Sequence, residues 1–329
     1  MRKYVIKRIL LNIVILFFVA LLIYCIMRLI PTSYIEALAR EKATRPGAKS
    51  YKEWLDQLNA VYGMNSGIFA GFFKWLGFAI RGQFGDSWSY NIPVVAKFKI
   101  VVWKSFFLAL VSFILEIIIA IPLGILAARK QYSRTDYAVT VFALIGISLP
   151  TFYIATLLKL LFSIKLHWLD LYGTVGRFYD QLTPMGQFLD MSKHYILPVI
   201  TLTVVSVGSL MRYTRTNMLE VLNSDFIRTA RAKGLSERKV INKHAFRNTL
   251  IPIVTILGGM LPGLFGGAMI TETLFQIEGI GYISYQAMVA GDIPFSMFFM
   301  VFVAFLTLIG TLMADILYAV VDPRVRVSR

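Results

Sequence analysis

The chain has 329 residues, of which 57% are hydrophobic, and its mean hydropathy is +0.67. A soluble domain is about 45–50% apolar, so this composition excludes an ordinary soluble enzyme and indicates a polytopic membrane protein. The net charge is +16, but the basic residues lie between apolar runs, so membrane topology explains them better than nucleic-acid binding does. The single cysteine, Cys25, lies in an apolar run and excludes an intrachain disulfide.

Six runs of apolar residues are long enough to cross a membrane as helices, since a bilayer core needs about 20 such residues. We predict spans over residues 9–30, 101–128, 137–164, 195–212, 250–271 and 297–320. The fourth run is short and contains Pro198, but neighbouring helices could satisfy its free backbone carbonyls. The predicted fold class is therefore an all-α polytopic membrane protein with six transmembrane helices.

The distribution of Lys and Arg predicts that both termini lie in the cytoplasm. In that orientation the cytoplasmic segments are residues 1–8, 129–136, 213–249 and 321–329, and with Arg212 they hold 19 of the 34 basic residues. The loop 272–296, on the opposite side, has none. This asymmetry obeys the positive-inside rule.

The first apolar run can be interpreted in two ways. The stretch RKYVIKR before it would suit a signal peptide, and ALA at 37–39 resembles a cleavage site. However, the run is longer than the apolar region of a signal peptide, and Glu36 precedes the site. We therefore expect a retained membrane anchor.

The segment after the first run, residues 31–100, is too polar to span and is predicted to lie outside. In its stretch YKEWLDQLNAVYG the apolar residues recur at helical spacing, which indicates a helix of a small external subdomain. The chain thus divides into an N-terminal tail with the first helix (1–30), this external segment, a core of five helices (101–320) and a cytoplasmic tail (321–329).

Within the cytoplasmic segment 213–249, the order of residues predicts two short helices joined at a glycine. Asn223 or Ser224 can cap the first helix, and Gly234 can supply the left-handed residue that ends it. Ser236 can cap a second helix that runs through ERKVINKHAFRN.

The residues alone leave two interpretations of this segment open. Its basic side chains obey the positive-inside rule and could simply lie against anionic lipid. Its apolar positions need a surface to cover them, and a partner protein would supply one. Those positions are Phe226, Ile227, Ala230, Leu235 and Ile241.

Glu116 stands near the middle of the second predicted span, in SFILEIIIAIPLG. An ionisable group at that depth is costly unless it meets water or a partner, which makes it a candidate for the translocation path. It could also pair with a charge from an adjoining helix or subunit. A protonated, hydrogen-bonded glutamate without a transport role is the remaining interpretation.

Three glycines, Gly259, Gly263 and Gly267, recur every four residues in the fifth predicted span. Small residues at this spacing let two helices approach closely, so we expect a packing face there. Pro262 beside them favours a kink, and a gating hinge is the alternative.

Chemistry by this chain itself is not predicted. His167, His194 and His244 are scattered without metal-ligand spacing, and no nucleophile has an adjacent base. The phosphate-binding pattern G-x-x-x-x-G-K-[ST] does not occur in the sequence, so ATP would have to be bound by another polypeptide.

The stretch FIRTARAKGLSERKVINKHAFRNTLIPIV resembles the cytoplasmic loop of membrane subunits in binding-protein-dependent ABC importers. Where that family has Glu-Ala-Ala-x3-Gly, this chain has Arg228-Thr229-Ala230 and then Gly234. Where the family usually has Ile-x-Leu-Pro, it has HAFR at 244–247, a departure typical of the oligopeptide, dipeptide and nickel permease branch.

The resemblance to this branch continues along nearly the whole chain and in the expected order. The other similar stretches are MRLIP, WLGFAIRGQFGDSW, IPLGILAARK, SLPTFYIATLL, TETLFQIEGIGYISYQAMVAGDIP and ADILYAVVDPRVR.

The resemblance implies the permease fold of type I ABC importers and a function in carrying peptides across the membrane by alternating access. It implies three kinds of partner: a second homologous permease, two cytoplasmic ATP-binding subunits, and an external solute-binding protein. ATP and Mg would be bound by the ATPase subunits, with no cofactor on this chain. The expected location is the cytoplasmic membrane of a bacterium or archaeon, where the chain contacts lipid and no nucleic acid.

The resemblance also implies that the helix before Gly234 is a coupling helix that binds in a groove of an ATPase subunit. We expect its docking face to comprise Phe226, Ile227 and Ala230. The charged rim would comprise Arg228, Arg231 and Lys233, and Asp225 and Thr229 complete the coupling residues.

The acidic external loop between the fifth and sixth spans is similar to a short re-entrant or amphipathic helix at the pore mouth in this family. Its candidate residues are Glu278, Gly279, Gly281 and Asp292. The acidic groups could attract basic patches on the solute-binding protein, or simply mark the charge-poor side of the membrane.

Two alternatives to a peptide importer remain open from the sequence. A self-contained channel or secondary transporter could use Glu116 as its ion-coupling group. The same architecture could also carry nickel chelates, short dipeptides or sugars, since a fold does not determine its ligand.

Overall fold

The computed structural model describes residues 2–29, 33–44, 49–61 and 67–321 of the chain. Within these ranges the regular structure is helical, apart from one isolated antiparallel bridge between Asp86 and Pro93. The predicted all-α fold class is confirmed. Residues 322–329 of the predicted cytoplasmic tail lie outside the described residues.

The helices are, in chain order, α1 (Arg2–Leu29), α2 (Ser33–Ala43), α3 (Tyr51–Val61), α4 (Ile68–Ala79), α5 (Val94–Arg129), α6 (Arg134–Ser148), α7 (Thr151–Lys165), α8 (Pro184–Leu222), α9 (Asp225–Ala232), α10 (Glu237–Phe265), α11 (Met269–Phe275), α12 (Ile280–Val289) and α13 (Ile293–Val321). Five of them, α1, α5, α8, α10 and α13, are long and apolar enough to cross a membrane. A sixth span exists if the bent pair α6 and α7 is counted as one.

The third predicted span, 137–164, is not one straight helix. The chain bends by 103° between α6 and α7, at a short break formed by Leu149 and Pro150. Pro150 disfavours helical geometry in the residue before it, and Leu149 is accordingly extended, with φ −85° and ψ 132°. The predicted third span is therefore a bent pair of helices, with the bend at the proline.

The fourth predicted span, 195–212, is much longer than its apolar run suggested. It is the central part of α8, whose 39 residues extend for about 58 Å and so pass well beyond the hydrocarbon core. Pro198 lies buried inside this helix without ending it. Helix α8 packs along α5 and also against α6.

Glycines allow the close approach of α8 to its neighbours. A β-carbon on Gly124 of α5 would lie 2.6 Å from the Met211 carbonyl oxygen, and one on Gly146 of α6 would lie 2.6 Å from that of Val204. Real β-carbons do not come so near, so larger residues would force these helices apart.

The fifth predicted span, 250–271, begins and ends earlier than expected. Helix α10 is continuous from Glu237, so the predicted second helix of the cytoplasmic segment is the first part of this span rather than a separate element. The helix tightens to 3-10 geometry over Leu261–Phe265, where Pro262 lies, and ends there. The segment after it is occupied by α11.

The external segment forms a small unit that packs on the membrane helices. Buried side chains of α2, α3 and α4 meet residues of α1 and of the start of α13 in one hydrophobic cluster, whose largest members include Phe72, Tyr24, Trp88 and Met297. The predicted helix in YKEWLDQLNAVYG is α3. At its N-terminus the backbone N–H and hydroxyl of Ser50 donate hydrogen bonds to Glu53, which hold the pKa of that carboxyl below its ordinary value.

A buried ion pair joins the N-terminal turn of α6 to the C-terminal part of α8. The Asp136 carboxylate accepts hydrogen bonds from Arg215 Nε at 2.7 Å and Arg215 Nη2 at 2.8 Å, a bidentate arrangement. The Tyr132 backbone N–H also donates to Asp136 at 3.0 Å. The carboxylate is therefore well compensated for its burial.

Candidate functional site

Helix α9 lies between α8 and α10 and is held against them by its apolar side. Ile227 is fully buried and Ala230 is 7% exposed. They pack in a cluster with residues of α5, α8 and α10, namely Ala128, Met218, Val240, Ile241 and Ala245. The helix is therefore anchored to the body of this chain rather than suspended from flexible loops.

This packing corrects the predicted docking face. Ile227 and Ala230 cannot contact a partner, because their side chains are already buried within the chain. Phe226 is different, since 48% of it is exposed. The outward surface of α9 consists of Phe226 with the exposed residues Asp225, Arg228, Thr229, Arg231 and Lys233, and we call this set the α9 surface.

The turn after α9 has the backbone conformation that the sequence predicted. Gly234 has φ +74°, and a β-carbon there would meet nothing within 4 Å, so the constraint is conformational rather than steric crowding. Arg231 donates hydrogen bonds across the turn to Glu237, at 2.8 and 3.1 Å. These bonds raise the pKa of the Arg231 guanidinium above its ordinary value and join α9 to α10.

The predicted serine caps of this segment are not formed by their side chains. Ser224 and Ser236 occupy the positions before α9 and α10, but neither side chain accepts a hydrogen bond from its helix. The Ser224 hydroxyl instead donates to the Val221 carbonyl at 2.6 Å. The segment's shape thus depends on burial of its apolar residues more than on capping.

Glu116 lines a cavity of about 620 Å³ between α5, α8, α10 and α13. Glu116 is only 5% exposed, yet its carboxylate has no hydrogen bond or ion pair within the described residues. Hydroxyl side chains from three helices line the same cavity, namely Ser112, Ser206, Thr307 and Thr311. The sequence did not indicate these residues, because isolated Ser and Thr are common in transmembrane helices.

The three glycines predicted to form one packing face all line this cavity, but their nearest neighbours differ. Gly259 does pack against another helix, since a β-carbon there would lie 3.2 Å from the Gly310 carbonyl oxygen of α13. Gly263 faces the cavity and has no neighbour within 4 Å of that position. Gly267 lies beyond the end of α10, with φ +77°, and approaches Gly281. The predicted four-residue stripe fails because the helix ends first.

The predicted external mouth is organised by a buried carboxylate that the sequence did not single out. Glu272 of α11 is fully buried and accepts hydrogen bonds from the backbone N–H groups of Ala268 at 2.9 Å and Tyr282 at 3.0 Å. A β-carbon on Gly279 would overlap this carboxylate, and one on Gly281 would lie 2.8 Å from the Met269 nitrogen. Both glycines are therefore required for packing around Glu272.

The two acidic residues of this predicted mouth have unlike surroundings. Glu278 is exposed and lies 3.6 Å from Lys104 of α5, a pair that solvent screens. Asp292 is fully buried, accepts hydrogen bonds from Ser87 and from the Ser89 and Phe295 backbones, and so fixes the external segment to the start of α13. Asp292 is thus a structural residue and cannot attract an external protein.

Of the three histidines, His194 has a structural role. His194 is buried, contacts the Asp190 carbonyl oxygen at 2.8 Å and lies 3.6 Å from the Asp170 carboxylate, so it joins the loop after α7 to α8. Across the ranges that the structure describes, no three His, Cys, Asp or Glu side chains are placed to hold a metal ion.

Comparison with known proteins decides the family. The family described as "Binding-protein-dependent transport system inner membrane component" matches residues 120–327, which include α9, the Gly234 turn and three of the helices around the cavity, α8, α10 and α13. The chain belongs to this family. The resemblance seen in the sequence is confirmed, and with it the interpretation of the chain as a permease component of a transport system.

Two curated permeases are similar to this chain over its full length. The oligopeptide transport system permease protein AppB of Bacillus subtilis is 36% identical over 326 residues, covering 99% of each chain. The oligopeptide transport system permease protein OppB of Salmonella typhimurium is 34% identical over 331 residues, covering 99% of this chain and all of that one. Among solved structures, a chain of the methionine ABC transporter MetNI in inward-facing conformations matches with a TM-score of 0.49 and 16% identity, covering 67% of this permease and 94% of that chain.

Proposed function

We propose that this permease is the transmembrane subunit of an ATP-driven importer and forms part of the translocation path for peptides. Its family supports a role in binding-protein-dependent transport, and full-length similarity to two oligopeptide permeases supports peptides as the cargo. Nickel chelates or other small solutes are less well supported, since neither of these relatives is named for them.

In this proposal the α9 surface binds a cytoplasmic ATPase subunit and transmits its motion to the membrane helices. The supporting observation is that α9 is anchored from behind by Ile227 and Ala230 while Phe226 and the charged residues point outward. A force applied to the outer side would reach α5, α8 and α10 through packed side chains. Such coupling shifts an equilibrium only if the partner binds the two states with different affinity.

The complete transporter in this proposal contains a second homologous permease, two ATP-binding subunits with their ATP and Mg, and an external solute-binding protein. ATP hydrolysis is assigned to the ATPase subunits, and alternating access would follow from rigid-body motion of the two permeases. The proposed orientation puts α9 and both termini in the cytoplasm of a bacterial or archaeal cell. A self-contained channel or secondary transporter has less support, because the family's transport systems depend on a binding protein.

The substitution Phe226→Ala tests the proposed coupling. We expect the variant to lose most ATP-driven peptide uptake and to retain less ATPase subunit through purification, because a half-exposed aromatic residue is typical of an interface anchor. The thermal midpoint of the purified permease should hardly change, since Phe226 lies outside the buried cluster of α9.

Two further variants make this test specific. Phe69→Ala removes an aromatic residue that is 68% exposed in the external segment and should leave uptake and ATPase retention intact. Ile227→Ala should instead lower the thermal midpoint, because it opens a cavity in a packed cluster. Wild-type uptake together with full ATPase retention in Phe226→Ala would refute the assignment of the α9 surface.

A further inference from the structure

The cavity around Glu116 has an unusual distribution of hydrogen-bonding groups. Three of its hydroxyls already donate to backbone carbonyls one helical turn earlier: Ser112 to Leu108 at 2.8 Å, Thr307 to Val303 at 2.9 Å and Thr311 to Thr307 at 3.0 Å. A hydroxyl has one hydrogen to donate and two lone pairs. These three oxygens can therefore only accept hydrogen bonds from a molecule in the cavity.

The charged side chain of the cavity has the same character. The Glu116 carboxylate, when ionised, accepts hydrogen bonds and donates none. In the described part of the chain, no Lys, Arg, His, Asn or Gln side chain lines the cavity to compensate it. Lys104, about three helical turns away in α5, is paired with Glu278.

The remaining walls are apolar, and the volume is in the range of ligand sites. Phe113, Leu202, Met260 and Leu306 contribute hydrocarbon surface, and pockets for small molecules measure about 300–1,000 Å³. Thr307 and Thr311 are themselves exposed on α13, a largely apolar helix, and their oxygens suit the edge of a hydrated path.

We propose that this cavity binds a primary ammonium group of the transported molecule, with Glu116 as its counter-ion and the hydroxyl oxygens of Ser112, Thr307 and Thr311 as acceptors. An ammonium group offers three donors and no acceptor, which matches the acceptors that Glu116 and these three hydroxyls present. The fourth hydroxyl of the cavity, that of Ser206, has no hydrogen-bond partner within the described residues and is free to accept as well. The inference rests on the proposed function, because the ammonium group would be that of a peptide. The group is either the N-terminal amine or a lysine side chain.

The test compares peptide pairs in the intact transporter, reconstituted with its ATPase subunits and binding protein. The probes are pentaalanine and N-acetyl-pentaalanine, and the measured quantity is the ratio of their ATP-driven uptake rates. Any preference of the binding protein for a free amine is the same in wild type and variant, so it cancels when the two ratios are compared.

In Glu116→Gln we expect this ratio to fall about tenfold, because a hydrogen bond to a charged group is lost while the shape of the side chain is kept. Uptake of the acetylated peptide should be unchanged. A second peptide pair, in which N-acetyl-pentaalanine is compared with an acetylated analogue carrying one lysine, identifies the source of the ammonium group. The measured quantity is again a ratio of uptake rates, that of the lysine-containing peptide to that of the lysine-free one. If this ratio also falls in the variant, lysine side chains use the site.

Two controls separate the proposal from a structural role of Glu116. Glu220→Gln removes an exposed carboxylate at the end of α8 and should leave every ratio at the wild-type value. Thr311→Val keeps the side-chain shape and removes one acceptor, so it should lower the pentaalanine ratio by about threefold. If Glu116→Gln does not assemble, Thr311→Val carries the test alone.

The possible outcomes are distinct. A ratio that stays at the wild-type value in both cavity variants overturns the proposal, whether or not the absolute rates fall. An equal loss of uptake for both peptides would mean that Glu116 pairs with a charge of the protein, such as one from the second permease, and also overturns it. ATP-driven uptake of the acetylated peptide at the normal rate in Glu116→Gln leaves the proposed function intact in either case.

Discussion

At the scale of single residues, the same residue type has different roles according to its surroundings. Four carboxylates identified in or near predicted membrane segments show this. Asp136 forms a buried ion pair, Asp292 caps and fixes α13, and Glu272 holds two backbone N–H groups. Glu116 alone of these four lacks a partner within the described residues. Burial with satisfied hydrogen bonds indicates a structural role, whereas the buried, unpartnered Glu116 beside a cavity supports the proposed ammonium site.

Gly234 shows how far the sequence can predict a backbone conformation. A glycine directly after an amphipathic helix indicates a left-handed residue, and the φ of +74° confirms it. The prediction succeeds because a turn of this kind depends only on residues close in sequence.

The substitution Gly234→Val should destabilise the turn by about 1–2 kcal/mol, because a β-branched residue resists positive φ. We expect a lower thermal midpoint and reduced ATP-driven uptake. Gly77→Val is the matched control, since Gly77 is helical and a β-carbon there also meets open space. If both variants melt at the same temperature, the conformational argument for Gly234 is wrong.

At the scale of elements, pairs of helices are joined by contacts that no local pattern indicates. The N-terminal end of α6 and the C-terminal part of α8 meet through Asp136 and Arg215, which are 79 residues apart. The N-terminal half of α5 meets α12 through Ser105, whose hydroxyl oxygen accepts the Ile280 backbone N–H at 2.7 Å. Each of these contacts requires two helices to reach the right position first.

The substitution Asp136→Asn should destabilise the permease by about 2–3 kcal/mol, since it weakens a bidentate, largely buried ion pair and leaves Arg215 without its counter-ion. The loss can be measured as a shift of the thermal midpoint of the purified permease.

Asp225→Asn provides the comparison, because the Asp225 side chain is 96% exposed and its ion pair with Arg228, at 3.5 Å, is open to solvent. Such pairs contribute little to stability, so this variant should have the same thermal midpoint as the wild type. Equal midpoints for both variants would show that the Asp136–Arg215 pair does not stabilise the fold.

Helix α9 illustrates what an element's pattern can and cannot predict. Its sequence indicated a short amphipathic helix, and the structure confirms its existence. The predicted docking face included Ile227 and Ala230, which the structure buries, because hydrophobic residues suit both an interface and the chain's own core. The nearby clusters of α8 and α10 decide the matter by burying Ile227 and Ala230.

At the scale of the whole molecule, the external segment is integrated with the membrane helices. Its core includes residues of α1 and α13, and Ser87 donates to the buried Asp292 at the start of α13. It is therefore expected to move with these two helices as one body, rather than as a tethered separate domain.

The proposed orientation in the membrane can be tested with a thiol reagent that does not cross membranes. In a Cys25→Ala background, which contains no other cysteine, Asp56→Cys should react in intact cells. Lys239→Cys should react only after the cells are permeabilised. Both positions are exposed in the structure, so accessibility alone should not distinguish them. Labelling of Lys239→Cys in intact cells would reverse the assigned sides.

The sequence by itself determined the all-helical membrane architecture, the approximate spans, the left-handed turn at Gly234 and the transport family. These properties follow from hydrophobic runs, turn residues and motifs, which are local along the chain. Only the tertiary structure decided which side of α9 is free, where α10 ends, and that Glu116 shares a cavity with acceptor oxygens of α13. The last of these outcomes depends on residues nearly two hundred positions apart, whose meeting is a consequence of helix packing and is not encoded in any single stretch.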